Sequence, residues 1–502
     1  MEDFISTVEN QAIQLHPLDT QAAFLNVPYH FFFANADAKP EFMPNEVIRA
    51  AFYMALKQFP ILAGYLRPDG GGQTCVVIDR KDLNMPEYKE STSNIHLDTL
   101  RDSKFHHTSW PAGLSTTGAI TKAGTDGRIK MINVHIVRLK GNSGVVLFVN
   151  IPHYVVDGTG FFSFVELWGT LCRALRTQDH ELALRASGRQ FGFDRNVIAR
   201  NLPEGRKPLD NDTLRIYTGF NPIADWLAWL SPNTRAQLLD RARFSSDITS
   251  HTFRISRDSL EALRALVATH MPDGQQVIAT HVLAALLSKT VAQAHKKSRD
   301  QKTLPVANLP GSGAAGMLSA LVSSLLGLVL GKETHQSLNL LADMRHPLDL
   351  TDKSYMGNGL IPHNAQCPLE MLESATSPES LAEATATVSR IYAGADAQLV
   401  GSFVDMIAAR PSCFTRPMVY LATHPTSLVI TNETTFKLYA ADFGDGLPEW
   451  VCTIPSFVAN FVGFLPSPPP STDIVVNITM KSQVMKHILL DSFWRDIATI
   501  VY

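Results

Sequence analysis

The sequence predicts an α/β protein built as two halves joined by a polar crossover. Three observations carry that prediction. The chain has 502 residues, more than one ordinary core accommodates, and 45% of them are hydrophobic against 18% charged. In the first half, "GVVLFVNI" (Gly144–Ile151) is a continuous apolar run of strand length. After it, Phe161, Phe164, Val165, Trp168, Leu171 and Cys172 recur at helical spacing. Beyond a stretch rich in Pro, Arg and Asp, roughly Arg185 to Asp212, a second half has its own helix, "QVIATHVLAALLSKTVAQA", and an alternating strand segment, "SLVITNETTFKLYAADFG". The expected divisions are residues 1–205, a linker over 206–250, and 251–502.

Taken in order, the acidic start "MEDFISTVENQAIQLHPLD" lacks the apolar core of a secretory signal, and with "DIATIVY" at the other end a cytoplasmic setting is expected. Val47, Ile48, Ala51, Phe52, Ala55, Leu56 and Phe59 mark one face of an amphipathic helix that Pro60 stops. "ILAGYLR" then reads as a strand ending in the turn "PDGGG", a hairpin loop rather than a phosphate cradle because no helix start follows it. "LPSPPPS" near Pro466 is a loop, and "KHILLDSFWRDIATI" reads as an amphipathic C-terminal helix. From Thr303 to Gly331 there is no charge at all, which predicts a helix buried in the fold or lying against a membrane surface.

Composition narrows the function. A net charge of −3 excludes a broad electrostatic footprint for nucleic acid. Five cysteines (Cys75, Cys172, Cys367, Cys413 and Cys452), odd in number and with no C-x-x-C pair, argue against a disulfide framework and a structural metal site. "GSGAAG" (Gly311–Gly316) matches a dinucleotide fingerprint in letters, but Pro305 and Pro310 interrupt the strand that should precede it. "DFG" (Asp442–Gly444) lacks the other kinase signatures, and no G-x-S-x-G elbow appears.

Two His-x-x-x-Asp spacings remain. His487 and Asp491 sit in the C-terminal helical segment and read as a surface side-chain pair one turn apart. His153 and Asp157, in "NIPHYVVDGTGFF", sit where a buried strand gives way to a loop and a helix, with Gly158 allowing a sharp turn after the acid. Strand ends of this kind are where open α/β sheets place ligands. On these residues alone a catalytic histidine and a satisfied core histidine both remain open.

With several motifs in order, the chain resembles the plant and fungal BAHD acyltransferases, which use coenzyme A thioesters. "HYVVDG" is similar to the family's His-x-x-x-Asp-Gly motif and "YAADFGDGLPEW" to its Asp-Phe-Gly-Trp-Gly signature. "LHPLD", "LKQFPILAGYL", "ADMRHPLDL" and "YMGNGL" are similar to its opening segment, N-terminal helix and strand, arginine-bearing strand and Gly-Asn segment. Asp445 stands where a tryptophan is usual, and "TNE" (Thr431–Glu433) where the family has Thr-Ser-Trp.

The resemblance implies two chloramphenicol-acetyltransferase-like domains, each a mixed β-sheet flanked by helices, with a channel between them. It implies an O-acyltransferase that moves an acyl group from acyl-CoA, a co-substrate rather than a bound cofactor, to a small hydrophobic alcohol, without a metal. His153 would be the general base, and Thr431 a donor to the tetrahedral oxyanion. Asp157 would turn away and pair with Arg345, while Gly158, Asp442, Gly444 and Gly446 would be structural. A fungal, secondary-metabolic, cytoplasmic monomer fits, with membrane-surface contact through residues 303–331 as its other expected partner. Two alternatives stay open: a carrier-protein-dependent amide-forming enzyme, although Pro152 precedes His153 where those enzymes show a second histidine, and a non-catalytic binding protein of the same fold.

Overall fold

The computed structural model describes residues 1–21, 25–68, 74–209, 234, 247–271, 276–302, 334–351, 354–409, 427–456 and 458–502. In the first half the strands are β1 (Gln11–Gln14), β2 (Asn26–Ala34), β3 (Tyr65–Pro68), β4 (Thr74–Ile78), β5 (Glu87–Thr92), β6 (Asn133–Arg138) and β7 (Gly144–Pro152). The rest of the chain adds β8 (Ile248–Ile255), β9 (His335–Asp343), β10 (Leu360–Pro368), β11 (Leu428–Asn432), β12 (Trp450–Thr453), β13 (Phe461–Pro466), β14 (Ile474–Lys481) and β15 (Ala498–Ile500). They form a five-stranded sheet in the order β12-β2-β7-β6-β5, a seven-stranded sheet in the order β10-β9-β11-β13-β14-β8-β15, and a small sheet β1-β4-β3. Both large sheets are mixed, β5 running parallel to β6 and β11 parallel to β9 and β13.

The apolar run at Gly144 forms β7, the middle strand of the first sheet, and all nine of its residues are buried. The helix Gly158–Thr177 follows immediately and buries Phe161, Phe164, Val165, Trp168, Leu171 and Cys172. It packs on the helix Asn45–Leu56, where Trp168 Nε1 donates to the Ile48 carbonyl at 2.8 Å and the Phe52 ring meets Trp168 edge-on at 5.1 Å. "ILAGYLR" is only partly a strand. Pro60–Ala63 is a 3-10 turn, since proline in its first position suits a helical start, and pairing begins at Tyr65. Residues 69–73 of the glycine turn lie outside the described residues, but Pro68 pairs with Thr74 on its two sides, as a hairpin requires.

In the seven-stranded sheet, alternation separates two faces. Leu338, Leu340, Ile430, Val462, Phe464 and Val476 point into a core covered by the helices Ala279–Lys302 and Pro378–Ala393. The opposite face points toward the first half. The two halves also exchange chain. After β11 the backbone leaves the second sheet, buries Leu438, Tyr439 and Phe443 in the first core, and adds β12 to the edge of the first sheet beside β2. At the start of the crossover, Arg206 bonds Asp405 of the helix Ala397–Ala409 at 2.7 and 3.0 Å.

Two sequence expectations are corrected. The alternation after Ser427 pairs only over Leu428–Asn432. The Asn432 side chain then accepts from the Thr434 amide and hydroxyl at 3.2 and 2.7 Å, a local turn that competes with the sheet ladder. The C-terminal segment is not one helix. Ser482–Leu489 ends, Asp491 adopts an extended conformation, and its carboxylate caps a new helix, Ser492–Ile497, through the Trp494 amide at 2.9 Å. His487 and Asp491 therefore do not form a one-turn pair on a continuous helix.

Cys75, Cys172, Cys367 and Cys452 are free and buried. Cys413, most of the expected linker, the uncharged 303–331 segment and the "GSGAAG" match within it lie outside the described residues. Among the described residues no helix is long and apolar enough to cross a membrane. Because Trp168 is fully buried and hydrogen-bonded, Trp168→Ala should lower the unfolding free energy by about 3–5 kcal/mol, measured by urea titration.

Candidate active site

A cavity of about 360 Å³ lies between the exposed face of the seven-stranded sheet and the first half. Ser250, Thr252, Asn339, Thr431, Asn477 and Thr479 line it from the sheet. Several of these polar groups satisfy one another, Thr252 donating to Asn477 at 2.7 Å and Ser250 pairing with Thr479 at 2.7 Å. Gly463 faces Thr431 across the β11–β13 ladder, and a Cβ there would meet only the Thr431 methyl, so the floor is open at that point. From the first half, Tyr29, His153 and Gly158 complete the wall.

His153 is positioned by the end of β7. Its amide donates to the Leu25 carbonyl at 2.9 Å, and its ring is half-buried at the cavity. Its Nδ1 lies 2.6 Å from Asn358 Oδ1. The Asn358 amide nitrogen spends its hydrogens on the Asp19 carboxylate at 3.0 Å and the His153 carbonyl at 2.6 Å. Only the amide oxygen is then left for the ring, so Nδ1 carries the hydrogen and a neutral ring keeps its lone pair on Nε2. Asp19 is itself fully buried and paired with Arg195 at 3.2 Å, and Arg195 also holds the Val155 carbonyl at 2.6 Å.

Asp157 caps the helix Gly158–Thr177 through the Gly160 amide at 3.3 Å. Its carboxylate accepts from both terminal nitrogens of Arg345, at 2.8 and 2.9 Å, and from the Gly359 amide at 2.8 Å. Burial alone would raise this carboxyl, but Arg345 outweighs burial and holds it below the usual carboxylate range. Gly158 is the first residue of the helix, and its backbone is not left-handed. Its requirement is space rather than a sharp turn, because a Cβ would overlap the Phe436 ring.

The second signature lies away from the cavity. Asp442 accepts from the Gly444 and Gly446 amides at 2.8 and 3.4 Å and pairs with Arg173 of the helix Gly158–Thr177 at 3.2 Å. Gly444 and Gly446 have φ of 95° and 119°, which explains the glycines. Asp445, in place of tryptophan, is buried with Lys39 and Arg176 each 3.5 Å away and accepts from the Met43 amide at 2.8 Å.

Sequence reasoning did not identify Asn358, Asp19, Arg195 or Tyr29. Asp19 and Asn358 sit inside "LHPLD" and "YMGNGL", whose likeness to the family was visible without their roles. Nothing in the sequence pointed to Arg195. Glu433, which departs from the family pattern, lies on the cavity wall, hydrogen-bonded by the hydroxyls of Tyr29 and Thr431. Burial pushes its carboxyl up to about 7, against the smaller lowering effect of the two hydroxyls.

The buried pair and the raised carboxyl each generate a prediction. Removing one partner of a buried pair strands the other charge, so Arg345→Ala should cost about 3–5 kcal/mol and Asp157→Asn should also lower soluble yield, checked by expression and unfolding titration. A carboxyl raised by folding stabilises fully below its unfolded value of 4.5, and that contribution is lost as pH rises through about 7. The melting temperature of wild type should therefore fall relative to Glu433→Gln between about pH 4.5 and 7.

Residues 6–218 match the model of the Transferase family. No curated protein sequence matches the chain. Among solved structures, F. sporotrichioides TRI101 complexed with coenzyme A and T-2 superposes with a TM-score of 0.69 at 13% identity, covering 98% of this chain and 100% of that one. F. graminearum TRI101 complexed with coenzyme A and deoxynivalenol gives 0.64 at 14% identity, covering 98% and 100%. Vinorine synthase gives 0.57 at 14% identity, covering 98% and 94%. Nearly the whole chain thus takes the fold of these proteins, and residues 6–218 resemble the Transferase family in sequence as well.

Proposed function

We propose that the protein transfers an acyl group from an acyl-coenzyme A thioester to a hydroxyl of a small, largely apolar molecule, with His153 as general base. The observation that carries this reading is the Asn358 contact, which leaves the unprotonated ring nitrogen of His153 for the cavity. A neutral alcohol is a weak nucleophile, and its proton must leave as its oxygen attacks the thioester carbonyl. The His153 Nε2 takes that proton. As the tetrahedral intermediate collapses, the C–S bond breaks and the thiolate of coenzyme A recovers the proton from the imidazolium. A positioned base of this kind contributes about 10²–10⁴ in rate.

Thr431 on the cavity floor is the candidate donor to the developing oxyanion, the role the family resemblance assigns it, and in that role its single hydroxyl hydrogen turns from Glu433 to the oxyanion. Asp157 and Arg345 are read as the brace of the loop that carries His153, and Asp442, Gly444 and Gly446 as the brace that docks the second signature on the helix Gly158–Thr177. The two halves act as the two walls of one site, residues 1–205 supplying the base and 251–502 most of the floor. The structural neighbours support the choice of co-substrate, since TRI101 was crystallised with coenzyme A together with T-2 or deoxynivalenol.

Purified protein incubated with acetyl-coenzyme A and a panel of alcohols should release free thiol. His153→Ala should fold normally and lose turnover, and near-normal release from that variant would refute the assignment. Asn358→Leu should lower kcat by about 10–100-fold through misaiming of the ring, with a smaller effect on KM for acetyl-coenzyme A.

A further inference from the structure

The buried carboxylates of this protein follow one pattern, with one departure. Asp19 is paired with Arg195, Asp157 with Arg345, and Asp445 with Lys39 and Arg176. Glu433 differs. Its side-chain partners are the uncharged hydroxyls of Tyr29 on β2 and Thr431 on β11, and among the described residues no cationic side chain forms an ion pair with it. It is also the member of this group that lines the cavity, and it is half-buried there.

Its backbone cannot relieve the situation by moving away. The Glu433 amide donates to the Phe464 carbonyl at 2.8 Å, and its carbonyl accepts from the Phe436 amide at 3.0 Å. Tyr29 is wedged between Phe161 and Phe162, with ring centroids at 5.2 and 4.9 Å. A carboxylate has about four acceptor positions, so two hydroxyl partners leave room for another donor from the cavity. A buried charge without a counter-charge is costly, and a cation brought by a ligand would remove that cost.

We propose that Glu433 is a recognition site for a protonated amine on the acceptor molecule, the ligand supplying the counter-charge that the described residues do not provide. This rests on the acyl-transfer reading and adds the chemical class of the substrate: an apolar alcohol that also carries a basic nitrogen. The hydroxyl to be acylated would lie toward His153 and the nitrogen toward Glu433. An ammonium group in the range of a lysine side chain, titrating near about 10.4, is charged through pH 8.

The titratable groups that share the cavity are Tyr29, His153, His106, His107, His251 and Tyr502, with Cys452 on β12 close behind Tyr29. Above pH 7 the Glu433 carboxyl ionises, so amine affinity should rise with pH; below it the carboxyl is neutral. Amino alcohols H₃N⁺–(CH₂)ₙ–OH spanning about four to twelve carbons test this against the diols and mono-alcohols of equal length. Binding is measured by calorimetry, and KM by thiol release with acetyl-coenzyme A.

For at least one length, the amino alcohol should bind wild type ten or more times tighter than its diol and mono-alcohol at pH 8. That preference should shrink at pH 6 and vanish in Glu433→Gln, whose fold is checked by circular dichroism. Equal binding of the three classes at every length, or a preference that survives Glu433→Gln, overturns the proposal. The wild-type pH dependence tests it even should the variant not fold. Amine preference without thiol release would uphold this site and sink acyl transfer, whereas thiol release without amine preference would sink this site alone.

Discussion

The ion pair between Asp157 and Arg345 is the contact on which the rest of the site depends. It joins the loop after β7 to the segment between β9 and β10, one residue from each half of the molecule. All five N–H groups of Arg345 have acceptors: Tyr355, Gly357, Asp343 and the two oxygens of Asp157. A buried pair of this kind gains little over a hydrophobic packing of equal volume, because desolvation consumes most of the attraction. What it supplies is a fixed contact between the loop that carries His153 and the segment between β9 and β10.

His153 lies opposite the cavity face of the second sheet, and a second buried pair, Asp19 with Arg195, lies behind the ring. Neither residue reaches His153. They act through Asn358, whose amide is oriented by Asp19 and the His153 carbonyl and so presents its oxygen to Nδ1. The two ion pairs therefore make different contacts, one joining the His153 loop to the segment between β9 and β10 and the other bordering Asn358, which meets the ring.

The seven-stranded sheet makes the cavity possible because its two faces are unlike. Period-two alternation puts Leu338, Leu340, Ile430, Val462, Phe464 and Val476 on the helix-covered side, and Ser, Thr and Asn together with Leu341, Val429 and Phe461 on the other. The polar floor is largely self-satisfied by cross-strand hydrogen bonds, so it can border a space without demanding a fixed ligand. Glu433, just after β11, is the exception, a carboxyl held by two hydroxyls that forms no ion pair among the described residues.

Local physics made much of this readable in advance. The unbroken apolar run of β7, the three-and-four spacing of the helix after it, and the order of the motifs placed His153 at a strand end in an α/β fold. The pairing of Asp157 with Arg345, 188 residues away, was legible only through family resemblance. Periodicity misjudged the segments after Asn432 and around Asp491, where side-chain caps and turns compete with the ladder or helix that alternation favours. Asn358, Asp19, Arg195 and the isolation of Glu433 belong to tertiary structure alone. Each is defined by which groups are near it once bulk water is gone, and the linear pattern of polar and apolar residues does not encode that.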